Sequence, residues 1–268
     1  MVKASYSMRK HTQLHSKVYG ALYNNMYGVP CLLTNRGMSM EKYMYKIENL
    51  NKDFTDGDGV CHALKSINLS ISTGQMVAVV GKSGSGKSTL FNILGAIDHA
   101  TDGRVIINGK NIAELSEGEL CKYRSETVGF VFQAFHIIES YTVYDNTELP
   151  LIINKIPKSQ RDEMIKRTVE RVGLSDKLRT KCSKLSGGEK QRAAIARAFV
   201  HSPKVILADE PCGNLDSHNS ESVMKLLRSF VNEDTLVMMV THSKTDAELC
   251  DRIITLSDGT VISDEVLR

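Results

Sequence analysis

From Met44 onward, apolar and polar positions fall into a regular order. Tyr45-Lys46-Ile47-Glu48-Asn49-Leu50 alternates with the period of a half-buried strand. Ala63 to Ile71 alternates again after the turn signal Asp56-Gly57-Asp58-Gly59, so the two runs predict a hairpin-like antiparallel pair. Gln75 to Val80 is instead a short continuous apolar run, as expected of a strand buried on both faces. It runs into a glycine-rich loop, and Ser88 to Leu94 follows with helical spacing. Asp102-Gly103 turns into another strand, Arg104-Val105-Ile106-Ile107. From about residue 134 to 186 the character changes. Glu148-Leu149-Pro150, Lys155-Ile156-Pro157 and the charged run Lys158 to Val172 predict helices punctuated by prolines, inserted between two halves of an α/β core. After them come a helix (Gly188 to Val200), a buried strand (Lys204 to Ala208), a helix (Ser217 to Val231) and a strand (Thr235 to Val240). A last hairpin, Arg252 to Leu256 and Val261 to Ile262, closes around Asp258-Gly259. Strands alternating with helices predict a largely parallel sheet covered on both faces.

Composition narrows the classes. With 268 residues, 41% of them hydrophobic and 24% charged, the chain reads as an ordinary globular protein. A net charge of +3 is too small to make nucleic acid the main partner. No apolar run approaches the ~20 residues of a membrane span. The six cysteines are scattered without a C-x-x-C pair, which fits reduced thiols better than a disulfide framework or a zinc site. Charge is uneven, because residues 1–40 hold five Lys and Arg and no Asp or Glu. This basic leader shares its composition with transit peptides and lipid-facing segments. Without an apolar or amphipathic pattern, it is read as a poorly ordered N-terminal extension, residues 1–42, ahead of one domain over 43–268.

Chemistry enters with the glycine loop. Gly81-Lys82-Ser83-Gly84-Ser85-Gly86-Lys87-Ser88 matches the P-loop pattern and sits between a strand and a helix, the context that pattern requires. Gly81, Ser83, Gly84, Ser85, Gly86, Lys87, Ser88 and Thr89 are therefore the candidate phosphate cradle. Backbone N–H groups and Lys87 neutralise β- and γ-phosphate oxygens, Ser88 offers a hydroxyl to Mg²⁺, and Thr89 reaches the α-phosphate. Val205-Ile206-Leu207-Ala208-Asp209 is an apolar strand ending in an acid, the position from which a carboxylate completes a magnesium shell. Glu210 follows directly and suits a general base acting on water.

A second glycine motif carries a family resemblance. Leu185-Ser186-Gly187-Gly188-Glu189-Lys190-Gln191 resembles the signature of ABC-type ATPases, and the likeness extends over about residues 44 to 263. It implies an α/β fold: a P-loop NTPase core with a mostly parallel sheet, an antiparallel β subdomain and an α-helical insertion at about 134–186. It also implies ATP and Mg²⁺ as ligands, ATP hydrolysis, and a homodimer that sandwiches two nucleotides. In that arrangement Ser186 and Gly188 meet the γ-phosphate held by the other subunit. By the same resemblance, Phe54 stacks on adenine and Gln133 is a ligand of magnesium and water. His242 contacts the γ-phosphate and orients Glu210, and Asp216 of Gly213-Asn214-Leu215-Asp216 crosses the interface. Lys87, Gln133, Glu210 and His242 form the expected catalytic set. Two positions depart from the family: Cys212 replaces a usual Thr, and Ser243 a usual Asp. Cys212, beside Glu210, is expected to impair turnover when oxidised or alkylated.

Within the family, Gly129-Phe130-Val131-Phe132-Gln133 and Glu148-Leu149-Pro150-Leu151 look most like the macrolide-export and lipoprotein-release branch, with its antimicrobial-peptide exporters. This resemblance implies a cytoplasmic subunit, peripheral on the inner face of the cell membrane, powering a separate integral-membrane permease. The alternative is a cell-division-type ATPase that regulates a membrane partner without transport. A plain P-loop kinase would lack the second glycine motif. ABC regulators of ribosomes or DNA usually carry two cassettes or a long coiled coil, for which this chain has no room.

Overall fold

Two sheets organise residues 43–268, which, apart from Asp58, are the residues the computed structural model describes. The expected N-terminal extension, 1–42, lies outside them. In chain order the first strands are β1 (Tyr43–Asp56), β2 (Gly59–Ser72) and β3 (Met76–Val80), and β3 leads into helix α1 (Lys87–Leu94). Then come β4 (Asp102–Ile107), the two-residue β5 (Lys110–Asn111), α2 (Glu117–Thr127), β6 (Val128–Phe132), α3 (Val143–Ile153) and α4 (Lys158–Arg171). The remainder is α5 (Gly187–Phe199), β7 (Val205–Asp209), α6 (Ser217–Ser229), β8 (Leu236–Val240), α7 (Lys244–Glu248), β9 (Arg252–Ser257) and β10 (Thr260–Val266).

The alternating runs pair as a long antiparallel hairpin, with Ile47 opposite Leu69 and Phe54 opposite Cys61. They belong to a four-stranded antiparallel sheet in the order β2-β1-β4-β5. The continuous apolar runs form the centre of a six-stranded sheet, β10-β9-β3-β8-β7-β6, parallel throughout except for the edge strand β10. Because successive side chains point to opposite faces, each central strand feeds two cores. Val77, Val79, Leu207, Met238 and Val240 join Leu90 and Leu94 of α1 and the antiparallel sheet's Ile47, Leu50 and Ile67. Their neighbours Met76, Ala78, Ile206, Ala208, Val237 and Met239 join Ile165 of α4, Ile195 of α5 and Val223 of α6. Burial on both faces explains why these segments read as unbroken apolar runs.

Helix starts follow from local chemistry. Ser116 with Glu119, Thr142 with Asp145 and Ser186 with Glu189 are reciprocal capping boxes at α2, α3 and α5. Each cap contributes about 0.5–2 kcal/mol. The prolines differ from expectation. Pro157 does precede α4, but α3 continues through Pro150. The interruption falls in the last turn of α3, where Leu151 is fully buried and the amides of Asn154 and Ile156 close on the carbonyls of Pro150 and Leu151 (3.0 and 2.9 Å).

Candidate active site

Sheet order places the site. Strands β3, β8, β7 and β6 run parallel and adjacent, and their registers (Val79 with Val240, Val240 with Asp209, Asp209 with Phe132) bring their C-terminal ends level. The next residues on these strands are therefore neighbours along one rim: the Gly81 loop, Thr241-His242, Glu210 and Gln133. Open α/β sheets bind ligands at this edge.

The glycine loop is shaped by two close approaches. Gly86 has φ of +99°, and a Cβ there would come within 2.5 Å of the Ala63 carbonyl oxygen and 2.8 Å of Leu64 Cδ2. A Cβ on Gly81 would strike the Leu256 carbonyl and lie 2.6 Å from Ser85 Oγ. α1 starts with no side-chain cap and no acid in its first turn. Its free amides and the positive end of its dipole thus serve an incoming anion. They open on a cleft of about 390 Å³, walled by the loop, Thr89, Glu210 and His242, with His62, Ala63 and Lys65 from β2. Lys87 is buried and folds back, Nζ donating to the carbonyls of Gly81 (2.9 Å) and Lys82 (2.7 Å). Burial pushes its ammonium below the ordinary lysine range, with Glu210 and Asp209 partly opposing. An anion in the cleft would give that desolvated charge its partner.

Two carboxylates face this cation. Ser88 Oγ donates to Asp209 Oδ2 at 3.5 Å, a long contact. Burial and the neighbouring Glu210 raise the Asp209 carboxyl above its usual range, which a metal cation would reverse. The donors Ser88, Asp209 and the Gln133 amide are all oxygen, hence hard. No cluster of three or more His, Cys, Asp or Glu suited to a metal occurs among the described residues. That donor set fits Mg²⁺, which takes one or two carboxylates plus phosphate oxygens and water. Glu210 Oε1 lies 2.9 Å from His242 Nε2. Glu210 also holds φ at +46°, a strained conformation for a non-glycine residue and of the kind that clusters at active sites.

Other expected residues lie outside the cleft wall. Phe54 is exposed, with Lys52 Nζ 4.8 Å from its ring centroid; across the hairpin its partner Cys61 does line the cleft. Ser186 caps α5, and a Cβ on Gly188 would strike the Asn219 side chain. Gln133 Nε2 donates to Asn214 Oδ1 (3.3 Å), while Asn214 Nδ2 donates to the Gln133 carbonyl (2.9 Å). Gln191, for which the sequence suggests no role, is fully buried and donates to the Pro211 carbonyl at 2.6 Å, tying α5 to the turn after Glu210. Its spacing from buried Gly188 and Ile195 was the available signal. Ser243 caps α7, accepting from the Asp246 amide at 3.2 Å, so it does the capping work that an Asp would do there.

The ABC transporter family model matches residues 64–213. The macrolide export ATP-binding/permease protein MacB of Aggregatibacter actinomycetemcomitans is 47% identical over 219 residues, covering 82% of this chain and 34% of that protein. The chain thus spans about a third of the length of the macrolide-export relatives it matches. The uncharacterized ABC transporter ATP-binding protein YvrO of Bacillus subtilis is 41% identical, covering 83% of this chain and 97% of the relative. Among solved structures, a dimeric ATP-binding cassette in a post-hydrolysis state with ADP and Pi superposes with a TM-score of 0.77. It shares 40% identity over 84% of this chain and 99% of its own.

Proposed function

We infer the function from one premise: this chain belongs to the ABC transporter family, as an ATP-binding and ATP-hydrolysing cassette. It powers a transporter whose path through the membrane is a separate integral-membrane permease, and it works as a homodimer. No helix among the described residues is long and apolar enough to cross a membrane, which accords with a peripheral place on the inner face. Its relatives favour export as the process driven. The observation that carries the reading is the Glu210–His242 contact inside the cleft that the P-loop closes.

ATP lies with its phosphates on the α1 N-terminus and the loop amides, and Lys87 turns from its two carbonyls to the phosphate oxygens. Ser88, Asp209 and Gln133 would hold Mg²⁺, which supplies charge neutralisation to the β- and γ-phosphates when bound. With a proton on Nε2, His242 donates to Glu210 Oε1 and fixes the carboxylate's direction. Glu210 accepts a proton from the attacking water. Ser186 and Gly188 lie outside this cleft and serve the nucleotide of the second subunit, so one chain alone leaves each site incomplete. Phe54, on the strand beside the cleft, stacks on the adenine.

Steady-state ATPase assays with nucleotide binding test this. Lys87→Ala is expected to lose nucleotide affinity, and His242→Ala to keep affinity while losing most turnover. Normal turnover in either would overturn the roles given. Affinity purification from solubilised membranes is expected to recover a permease with the chain, and recovery of the chain alone would count against the transport role.

A further inference from the structure

Immediately after Gln133 the chain makes a strained turn. Phe135 and His136 both hold positive φ, 60° and 47°, although neither is glycine. The His136 amide closes a three-residue turn on the Ala134 carbonyl at 2.6 Å. A turn of this kind with positive φ at its centre is the rare form and persists only where its surroundings enforce it.

The enforcing group comes from the far end of α5. Arg197 Nη2 donates to the Phe135 carbonyl at 3.0 Å and Nη1 to the His136 carbonyl, so one planar fork holds both left-handed residues. Arg197 makes no ion pair among the described residues. Burial pushes its guanidinium below the ordinary arginine range, with Cys182 partly opposing, and the two carbonyls accept from the desolvated fork. The rest of the segment is stitched to the stretch just before Ser186. The amides of Cys182 and Ser183 donate to the carbonyls of Tyr141 and Glu139 (2.9 Å each), and Lys190 Nζ reaches Glu139 Oε1 at 2.6 Å. The fully buried Asn146 joins the two stretches, accepting from the Ile138 amide (2.8 Å) and donating to its carbonyl (3.0 Å) and to Cys182 Sγ (3.3 Å).

α5 thus carries Ser186 and Gly188 at one end and, at the other, a side-chain fork on both left-handed residues of the strained turn. We propose that Arg197 is a positioning residue that latches the Gln133 turn to α5, so that Gln133 and the Ser186–Gly188 end move as one body. This rests on the reading above, in which Gln133 serves the nucleotide on its own chain while Ser186 and Gly188 serve the one on the partner. The latch makes engagement at one nucleotide set the placement of Gln133 at the other. A lysine at 197 keeps the charge but cannot fork both carbonyls.

The test compares Arg197→Lys and Arg197→Ala with the wild-type full chain in three measurements: ATP affinity, kcat per folded molecule, and amide hydrogen exchange without nucleotide. Arg197 touches nothing in the cleft wall, so ATP affinity is expected to stay within twofold. The kcat is expected to fall at least tenfold for the alanine variant and at least threefold for the lysine variant. Exchange is expected to quicken at residues 134–142 and stay unchanged in α1 and β3. Should Arg197→Ala fail to fold, the lysine variant carries the comparison. Unchanged exchange at 134–142, a kcat within twofold of wild type, or equal losses of affinity and kcat would each overturn the latch. Absence of ATP turnover in the wild type would overturn the functional reading instead, and the exchange comparison would still decide the latch.

Discussion

Two glycines of one loop should respond differently to the same substitution. Gly84 and Gly86 both have positive φ, +75° and +99°, so alanine at either pays a left-handed penalty of about 1–2 kcal/mol. Both variants also lose unfolded-state freedom to the same extent, and that gain cancels in the comparison. What differs is space. A Cβ at Gly84 meets nothing within 4 Å, whereas one at Gly86 lies 2.5 Å from the Ala63 carbonyl oxygen and 2.8 Å from Leu64 Cδ2. The carbonyl belongs to β2 and cannot rotate aside, so overpacking adds about 1–3 kcal/mol. At about 2–4 °C per kcal/mol for a chain of this size, Gly86→Ala should melt roughly 2–12 °C below Gly84→Ala. Thermal unfolding of the two variants, without nucleotide and in the same buffer, reads this directly. Equal melting temperatures, or Gly84→Ala melting lower, would refute the packing argument for the loop.

Two more outcomes follow from the electrostatics. Burial and Asp246 push the Cys212 thiol up to about 12, so it stays protonated at neutral pH. Timed alkylation with peptide mapping should therefore label exposed Cys121 at least tenfold faster than Cys212, and equal rates would contradict it. Asp251 is buried, accepting from the Met76 amide (2.7 Å) and from Arg228 Nη2 (2.6 Å). Burial raises its carboxyl, but Arg228 and the Met76 amide more than offset this and leave it below the usual range. Its stabilisation is therefore complete above the ordinary aspartate pKa, near 3.9, and is lost as pH falls through the lowered value. Asp251→Asn should cost about 1–3 kcal/mol at pH 7, and its deficit should shrink below about pH 4; a deficit constant from pH 7 to pH 3 would refute this.

The parts of the fold legible in the sequence were those whose cause is local. A strand buried on both faces declares itself as an apolar run, and the glycine loop declares itself because only glycine fits beside Ala63 and Leu256. α2 was missed because it has no apolar stripe: of its 11 residues only Leu120 and Tyr123 are buried, and the Ser116–Glu119 capping box was its one local mark. α3 passes through Pro150 because packing of Leu151 and the nearby helix end outweigh a local rule. In the site, spacing singled out the glycine loop and the Asp209-Glu210 pair at the end of a readable strand, while His242 was expected only from the family resemblance. Links between motifs were invisible, because Gln191 to Pro211, Gln133 to Asn214 and Arg197 to Phe135 join residues far apart in sequence. Nor does any residue type announce the positive φ of Glu210.

In the proposed dimer, two copies trap ATP between the P-loop of one and the Ser186–Gly188 turn of the other. Replacing Glu210 by Gln removes the proton acceptor while leaving every phosphate contact in place, so the closed state should accumulate. The measurement is the solution mass of Glu210→Gln by light scattering on size exclusion, with and without Mg²⁺-ATP. A monomer is expected without nucleotide and a stable dimer with it, carrying unhydrolysed ATP. A Glu210→Gln protein that stays monomeric in saturating ATP, or that turns ATP over at the wild-type rate, would contradict it.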